Sequence, residues 1–70
     1  MKNDIKNRRI MEDISQSLLS KKCKVSRQTI NAIENDKYDP SLELAFKLAE
    51  VLNTTVDELF DYKGSKGSED

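Results

Sequence analysis

The stretch KKCKVSRQTINAIENDKYDPSL, residues 21–42, decides the fold of this chain. It opens at the end of one short predicted helix, residues 16–23, and turns at Lys24 without a glycine. Ser26 then stands where an N-cap is needed, because its hydroxyl can accept a hydrogen bond from an exposed amide of the next helical turn. A second helix, residues 27–35, follows. The pattern predicts two short helices joined by a tight turn.

The rest of the chain continues the helical spacing, and no stretch shows the alternation of a half-buried strand. Ser15, Ser41 and Thr55 stand at the expected N-caps of further helices. Asn53 suits the left-handed position that ends a helix, and Thr55 with Glu58 fits a capping box. We therefore predict an all-α, compact five-helix domain, with helices over residues 3–12, 16–23, 27–35, 42–52 and 56–60.

Length and composition limit the chain to one small domain. Seventy residues, 36% of them hydrophobic, are near the lower limit for a single core. We assign residues 1–62 to this domain and residues 63–70 to a disordered tail, because KGSKGSED contains nothing apolar. No apolar run is long enough to cross a bilayer, so we expect a soluble, cytoplasmic chain without membrane contact.

The sequence has few of the residue types that catalysis or metal binding requires. The chain has no histidine and no glycine-rich phosphate loop, and its one cysteine, Cys23, has no neighbouring base. A single cysteine can form neither an internal disulfide nor a metal-binding cluster. We therefore expect that the chain is not an enzyme and that it binds neither a metal ion nor a cofactor.

Charge is divided unequally between the two halves of the chain. Residues 1–38 carry nine basic and five acidic side chains, a net charge of +4, whereas residues 39–70 carry three basic and eight acidic ones, a net charge of −5. Because salt screens each charge beyond about 8 Å, a basic face can attract a polyanion although the total is near zero. The alternative is a chance segregation of solvated charges.

The outward face of the helix predicted at residues 27–35 has the chemistry of a base-reading helix. Ile30 and Ile33 turn inward. The residues left outside include Arg27, Gln28, Asn31 and Ala32. In the DNA major groove an arginine can grip guanine O6 and N7, glutamine or asparagine can pair with adenine, and alanine can touch only a thymine methyl. The same residues are also compatible with the solvated face of an ordinary amphipathic helix.

Three blocks of the sequence, VSRQTINAIE, KYDPSLELAFKLAEVL and VDELF, occur in an order and spacing typical of one family. They resemble compact stand-alone members of the lambda-repressor/Cro-like helix-turn-helix family, of the xenobiotic response element type. The likeness runs over about residues 5–60. It implies a five-helix fold and a sequence-specific transcriptional regulator that binds double-stranded DNA, with base contacts from the four outward residues named above.

The resemblance also implies roles outside the base-reading face. Gln16 matches the family glutamine that contacts a phosphate at a helix start. Arg9 and Glu34 match the pair that ties the first helix to the end of the third. The other predicted contacts to the DNA backbone lie at the turn and after the helix, and they are Lys24, Ser26, Asn35, Lys37 and Tyr38.

The chain departs from the family pattern at three positions. Ser20 and Cys23 replace an alanine and a leucine inside the second helix, and a buried Ser20 must bond its hydroxyl to a backbone carbonyl. Lys24 replaces the usual glycine of the turn. If the backbone there is left-handed, the Cβ of Lys24 costs about 1 kcal/mol or somewhat more.

A second copy of the chain is the expected partner besides DNA. One such domain makes too few base contacts for useful specificity, so we expect a homodimer that acts as a repressor on an inverted repeat. The apolar arc of the helix predicted at residues 42–52 is wider than one core face needs. Its edge is the candidate dimer interface, with Leu44, Val51, Leu59 and Phe60. The alternative is that the fifth helix simply folds over this arc.

A protein-interaction module is the competing hypothesis for function. The same fold serves in antitoxins and coactivators, where a protein partner is bound and DNA contact is secondary or absent. Since the chain offers no separate effector domain, a small-molecule sensor is not expected.

Overall fold

Five short helices and a two-residue strand pair make up residues 1–61, the part of the chain that the computed structural model describes. In chain order the elements are β1 (Lys2–Asn3), α1 (Ile5–Met11), α2 (Gln16–Cys23), α3 (Arg27–Glu34), α4 (Leu42–Val51), α5 (Val56–Leu59) and β2 (Phe60–Asp61). The five predicted helices are confirmed. The predicted tail, residues 63–70, and residue 62 lie outside the described residues.

Helices α2 to α5 begin at the caps that the sequence predicts. The side-chain oxygens of Ser15, Ser26, Ser41 and Thr55 each accept from the amide three residues later. The predicted capping box forms in part: Glu58 N donates to Thr55 Oγ1 at 3.3 Å, whereas the Glu58 carboxylate accepts from the hydroxyl of Thr54 at 3.0 Å. Local sequence therefore sets these helix starts.

Each of the first four helices is followed, within two residues of its end, by one residue in the left-handed region, and none of these residues is glycine. They are Asp13 (φ 59°), Lys24 (φ 60°), Asp36 (φ 61°) and Asn53 (φ 57°). After α2, Lys24 N donates to Lys21 O at 3.2 Å and Val25 N to Ser20 O at 3.0 Å. This Schellman arrangement satisfies carbonyls that a helix end leaves exposed. The left-handed conformation predicted at Asn53 is confirmed, and the left-handed backbone considered for Lys24 is present.

The predicted ends are accurate for α2 and too late by one residue for the other four helices, where the prediction includes the C-cap. The predicted start of α1 is wrong by two residues, because Asn3 is engaged elsewhere. Its Oδ1 accepts from Ile5 N at 3.1 Å, and its Nδ2 donates to Ile33 O, near the end of α3, at 2.7 Å. Asn3 also pairs with Phe60 in the antiparallel β1–β2 ladder.

Helices α2 and α4 form the centre of the packing, since α2 packs on both α3 and α4, and α5 packs on α4. The side chains fully covered by this packing are Ile5, Leu19, Ile30, Ile33, Leu48, Leu52 and Leu59. Ser20 is also buried, and its hydroxyl donates to Ser17 O at 2.7 Å, as predicted. Helices of seven to ten residues are not stable alone in water, so the shared core holds α2 and α3 in place.

Candidate nucleic-acid interface

The turn between α2 and α3 fixes where α3 begins. Lys24 adopts φ 60° and ψ 41°, and the chain is extended at Ser26. The Ser26 hydroxyl oxygen accepts from Thr29 N at 3.1 Å and lies 3.0 Å from the Thr29 hydroxyl. Val25, between them, is half-buried against the core. The turn therefore forms without glycine and leaves Arg27, the first residue of α3, at the surface.

One face of α3 is turned outward, and it carries the four residues predicted to contact bases: Arg27, Gln28, Asn31 and Ala32. The first three are exposed and the alanine is half-buried, whereas Ile30 and Ile33 on the other face lie in the core. Asn35 and Lys37 line one shallow groove with these four residues. The structure thus brings the predicted base-reading residues together on a single exposed face.

The polar groups of this face are suited to hydrogen bonding with base edges. A guanidinium and side-chain amides supply the donors and acceptors that purine edges match. Asn35 Nδ2 donates to Asn31 O at 2.9 Å and also to Asn31 Oδ1. The second bond uses the oxygen of the Asn31 side-chain amide. The Nδ2 group of Asn31 therefore remains as the donor toward a ligand.

The residues predicted to contact the DNA backbone lie in two places. Asn35 and Lys37 border the α3 groove. Lys24 and Tyr38 line a separate depression between the turn and α4. Ser26 directly precedes α3 in the chain, and its hydroxyl serves as the cap of that helix.

The ion pair that the resemblance implies between Arg9 and Glu34 is present. Arg9 Nε lies 2.8 Å from Glu34 Oε2, and Arg9 Nη2 lies 3.4 Å from Glu34 Oε1. The two side chains are only 12% and 4% exposed. Arg9 Nη1 also donates to Ile14 O at 3.1 Å. The pair therefore joins α1 to the last residue of α3.

Gln16 makes two hydrogen bonds that sequence reasoning missed. Its Nε2 donates to Glu34 Oε1 at 3.0 Å, and its Oε1 accepts from Arg27 Nη1 at 3.2 Å. The side chain predicted to contact a phosphate is thus engaged within the protein. The sequence contains one signal for these two hydrogen bonds. Arg27 and Glu34 are seven residues apart, which places both on one side of α3, two turns from each other.

Cys23 is buried and chemically quiet. Burial raises the pKa of its thiol, and the charge of Lys47 opposes part of that rise. Such a thiol is a poor nucleophile at neutral pH. Within residues 1–61, no three His, Cys, Asp or Glu side chains are grouped so that they could hold a metal ion. Over the same residues, no helix has the length and apolar character needed to span a membrane.

The predicted dimer interface is wrong, because α5 covers the side of α4 on which it was expected. Leu44, Leu59 and Phe60 are buried in the core, and Val51 packs partly against it. Helix α5 folds over this side of α4, which was the alternative. The apolar side chains of α4 that stay at the surface are instead Leu42, 71% exposed, and Phe46, 59% exposed.

Comparisons of sequence agree with this geometry. The model of the Helix-turn-helix family matches residues 5–59. An uncharacterized HTH-type transcriptional regulator of Methanocaldococcus jannaschii is 49% identical over 63 residues, which cover 90% of this chain and 96% of that protein.

Two solved structures share the fold. The DNA-binding domain of the P22 c2 repressor matches with a TM-score of 0.76 and 28% identity, covering 91% of this chain and 84% of that one. A chain of the SinR protein/SinI protein complex matches with a TM-score of 0.76 and 29% identity, covering 93% of this chain. The present chain spans 64% of the length of that second structure's chain, which is less than two thirds.

Proposed function

The chain belongs to the helix-turn-helix family, and on that premise we propose that it is a sequence-specific regulator of transcription whose α3 enters the major groove of double-stranded DNA. The observation that carries the proposal is the single exposed face of α3, which groups a guanidinium with side-chain amides. Arg27 reads guanine, Gln28 and Asn31 read adenine, and Ala32 contacts a thymine methyl. The chain acts by binding, not by catalysis.

Contacts to the DNA backbone surround this face in the proposed complex. Lys37 and Asn35 contact phosphates from one side of the groove, and Lys24, Ser26 and Tyr38 do so from the turn and the loop. The net charge of +4 over residues 1–38 supports this arrangement, because it draws the polyanion toward the half of the chain that carries α3.

Salt dependence tests the DNA-binding proposal. Affinity for the DNA upstream of the chain's own coding region, measured by fluorescence anisotropy, should fall by about 0.9 log units per log unit of salt for each phosphate neutralised. Lys37→Ala should reduce this slope by about 1 and leave base preference unchanged. A flat salt response, or equal affinity for every DNA sequence, would contradict the proposal.

We further propose that the chain binds an inverted repeat as a homodimer and represses transcription by occupying it. One domain reads only a few bases, so two half-sites are needed for useful specificity. The surface proposed to contact the second copy consists of Leu42, Phe46 and Val56. Phe46 lines one depression and Leu42 lines another, and Val56 borders both, so the three side chains form one patch. Exposed apolar side chains of this size are typical of interaction sites when they lie together.

Sedimentation at micromolar concentration tests the dimer. Phe46→Glu should convert the dimer to a monomer, because it places a carboxylate in the apolar contact. Lys47→Glu puts the same new carboxylate on the adjacent side of α4 and should leave the dimer intact. A wild-type chain that sediments as a monomer, or equal effects of the two variants, would refute the interface.

A protein-interaction module is the second candidate, and the same surface of Leu42, Phe46 and Val56 favours it. In that function a different protein occupies the surface and DNA contact is secondary. The two functions separate on the α3 variants: Gln28→Ala should impair a DNA-binding regulator and leave a protein-interaction module unaffected.

A further inference from the structure

Asn3 joins three parts of the fold that lie far apart in the sequence. Its backbone pairs with Phe60 in the β1–β2 ladder. Its side-chain oxygen Oδ1 accepts from Ile5 N at 3.1 Å, which forms an Asx turn at the start of α1. Its Nδ2 donates to Ile33 O, in the last turn of α3, at 2.7 Å, and also to Asp36 Oδ1 at 3.3 Å. One half-buried side chain thereby holds the start of α1 against the end of α3.

The neighbours of the Asn3 amide allow it only one orientation. A peptide N–H only donates, whereas a carbonyl and a carboxylate only accept. Oδ1 must therefore face Ile5 N, and Nδ2 must face Ile33 O and Asp36. The acceptor half of the amide serves α1, and the donor half serves the end of α3.

The donor half of the amide lies at the turn that leads from α3 into the loop with Lys37. Ile33 O also accepts from Asp36 N at 3.1 Å. Lys37 N donates to Ala32 O at 2.9 Å. Asp36 has φ 61°, in the left-handed region that only glycine adopts without cost. Asn3 Nδ2 therefore bonds both a carbonyl of this turn and the side chain of its left-handed residue, directly before Lys37.

We infer that Asn3 is a positioning residue for the contact between Lys37 and the DNA backbone. The inference rests on the proposed function, in which Lys37 contacts a phosphate from the border of the α3 groove. A lysine side chain is flexible, so the position of its backbone decides which phosphate its ammonium group reaches. Asn3 holds that backbone through Ile33 and Asp36, although Asn3 itself does not line the groove.

Helix α3 has an anchor of its own, which separates its position from that of the loop. The guanidinium of Arg9 makes two bonds to the carboxylate of Glu34, at 2.8 and 3.4 Å. Loss of the Asn3 donor should therefore leave the base-reading face of α3 in place and affect only the phosphate contact. A purely structural role of Asn3 predicts neither effect, provided that every molecule in the assay is folded.

The experiment replaces Asn3 with serine, which adds no charge. The serine hydroxyl can still accept from Ile5 N, but it is too short to reach Ile33 O. Asn7→Ser is the matched control, because Asn7 is exposed on α1 and its Nδ2 donates to Asp4 Oδ1 at 2.9 Å. Fluorescence anisotropy measures affinity over a series of salt concentrations, on a DNA site selected by the wild-type chain and on its single base-pair variants. Circular dichroism sets a temperature at which each protein is folded.

Asn3→Ser should reduce the slope of log affinity against log salt by about 0.9, the value for one phosphate. It should weaken binding to all sequences by the same factor, because a phosphate contact carries no base preference. Lys37→Ala should give the same reduction. The double variant should lose no more than either single variant, because both residues act on one contact. Asn7→Ser should keep the wild-type slope.

A wild-type slope in Asn3→Ser would overturn the inference, as would a double variant whose slope falls by the sum of the two single losses. Loss of discrimination at one base pair would overturn it too, because Asn3 would then act on α3 as a whole. Asn3→Thr makes the same test if Asn3→Ser does not fold. A flat salt response of the wild-type chain would contradict the proposed function itself, which distinguishes that failure from a failure of the positioning role.

Discussion

Replacing Lys24 with glycine tests the physical reading of the turn. Lys24 adopts φ 60° and ψ 41°, and its side chain is exposed. A residue with a Cβ is disfavoured in this left-handed region by about 1–2 kcal/mol, whereas glycine is not, although glycine loses more freedom on folding. We expect Lys24→Gly to raise the free energy of unfolding by about 1 kcal/mol relative to a variant that differs only in keeping the Cβ.

Lys24→Ala is that matched variant. Lysine at a helix C-terminus also interacts favourably with the helix dipole, by about 0.3–1 kcal/mol, and both replacements lose this interaction equally. The difference between glycine and alanine therefore isolates the Cβ. For a domain of this size, the midpoint of thermal unfolding of Lys24→Gly should be about 4–8 °C above that of Lys24→Ala.

Urea denaturation followed by far-ultraviolet circular dichroism measures the difference, provided that the dependence on urea is the same in both variants. Lys22→Gly, in the right-handed last turn of α2, should instead destabilise the fold by about 0.5–1 kcal/mol. If Lys24→Gly is no more stable than Lys24→Ala, the turn does not carry the strain assigned to it.

Two further predictions concern the buried groups. Arg9→Ala leaves Glu34 covered without its charge partner and should lower the free energy of unfolding by about 3–5 kcal/mol. The control Lys6→Ala, on the exposed side of α1, should change it by less than about 0.5 kcal/mol. Equal urea midpoints of the two variants would refute the role of the pair. Because burial raises the pKa of the Cys23 thiol, the folded state disfavours the thiolate, and the free energy of unfolding should fall as pH rises through and above the ordinary thiol value of about 8.5. This part of the fall should be absent in Cys23→Ala, and parallel pH profiles of the two proteins would contradict it.

Local features of the structure could be predicted from the sequence because neighbouring residues determine them. The bounds of α2, Gln16–Cys23, follow from the hydroxyl of Ser15 at one end and the left-handed Lys24 at the other. The outward face of α3 follows from the inward spacing of Ile30 and Ile33. These elements required no knowledge of distant contacts.

Contacts between distant residues could not be predicted in the same way. Asn3 fits a helix by its local sequence, and contacts with two distant residues, the bond to Ile33 O and the ladder pairing with Phe60, remove it from α1. The apolar arc of α4 does not reveal which side α5 covers, so the sequence wrongly predicts an interface role for Leu44, which lies in the core. Gln16 satisfied the family pattern for a phosphate contact, while its amide is used by groups on α3.

The central claim is that the exposed face of α3 reads base pairs, and Gln28 tests it most directly because it is exposed on that face. The decisive measurement is the affinity of wild type and Gln28→Ala for a selected DNA site and for all its single base-pair variants. We predict that Gln28→Ala loses about 1–3 kcal/mol of discrimination at one base pair and keeps its affinity for unrelated DNA. An equal loss on every sequence, or no sequence preference in the wild-type chain, would contradict the claim.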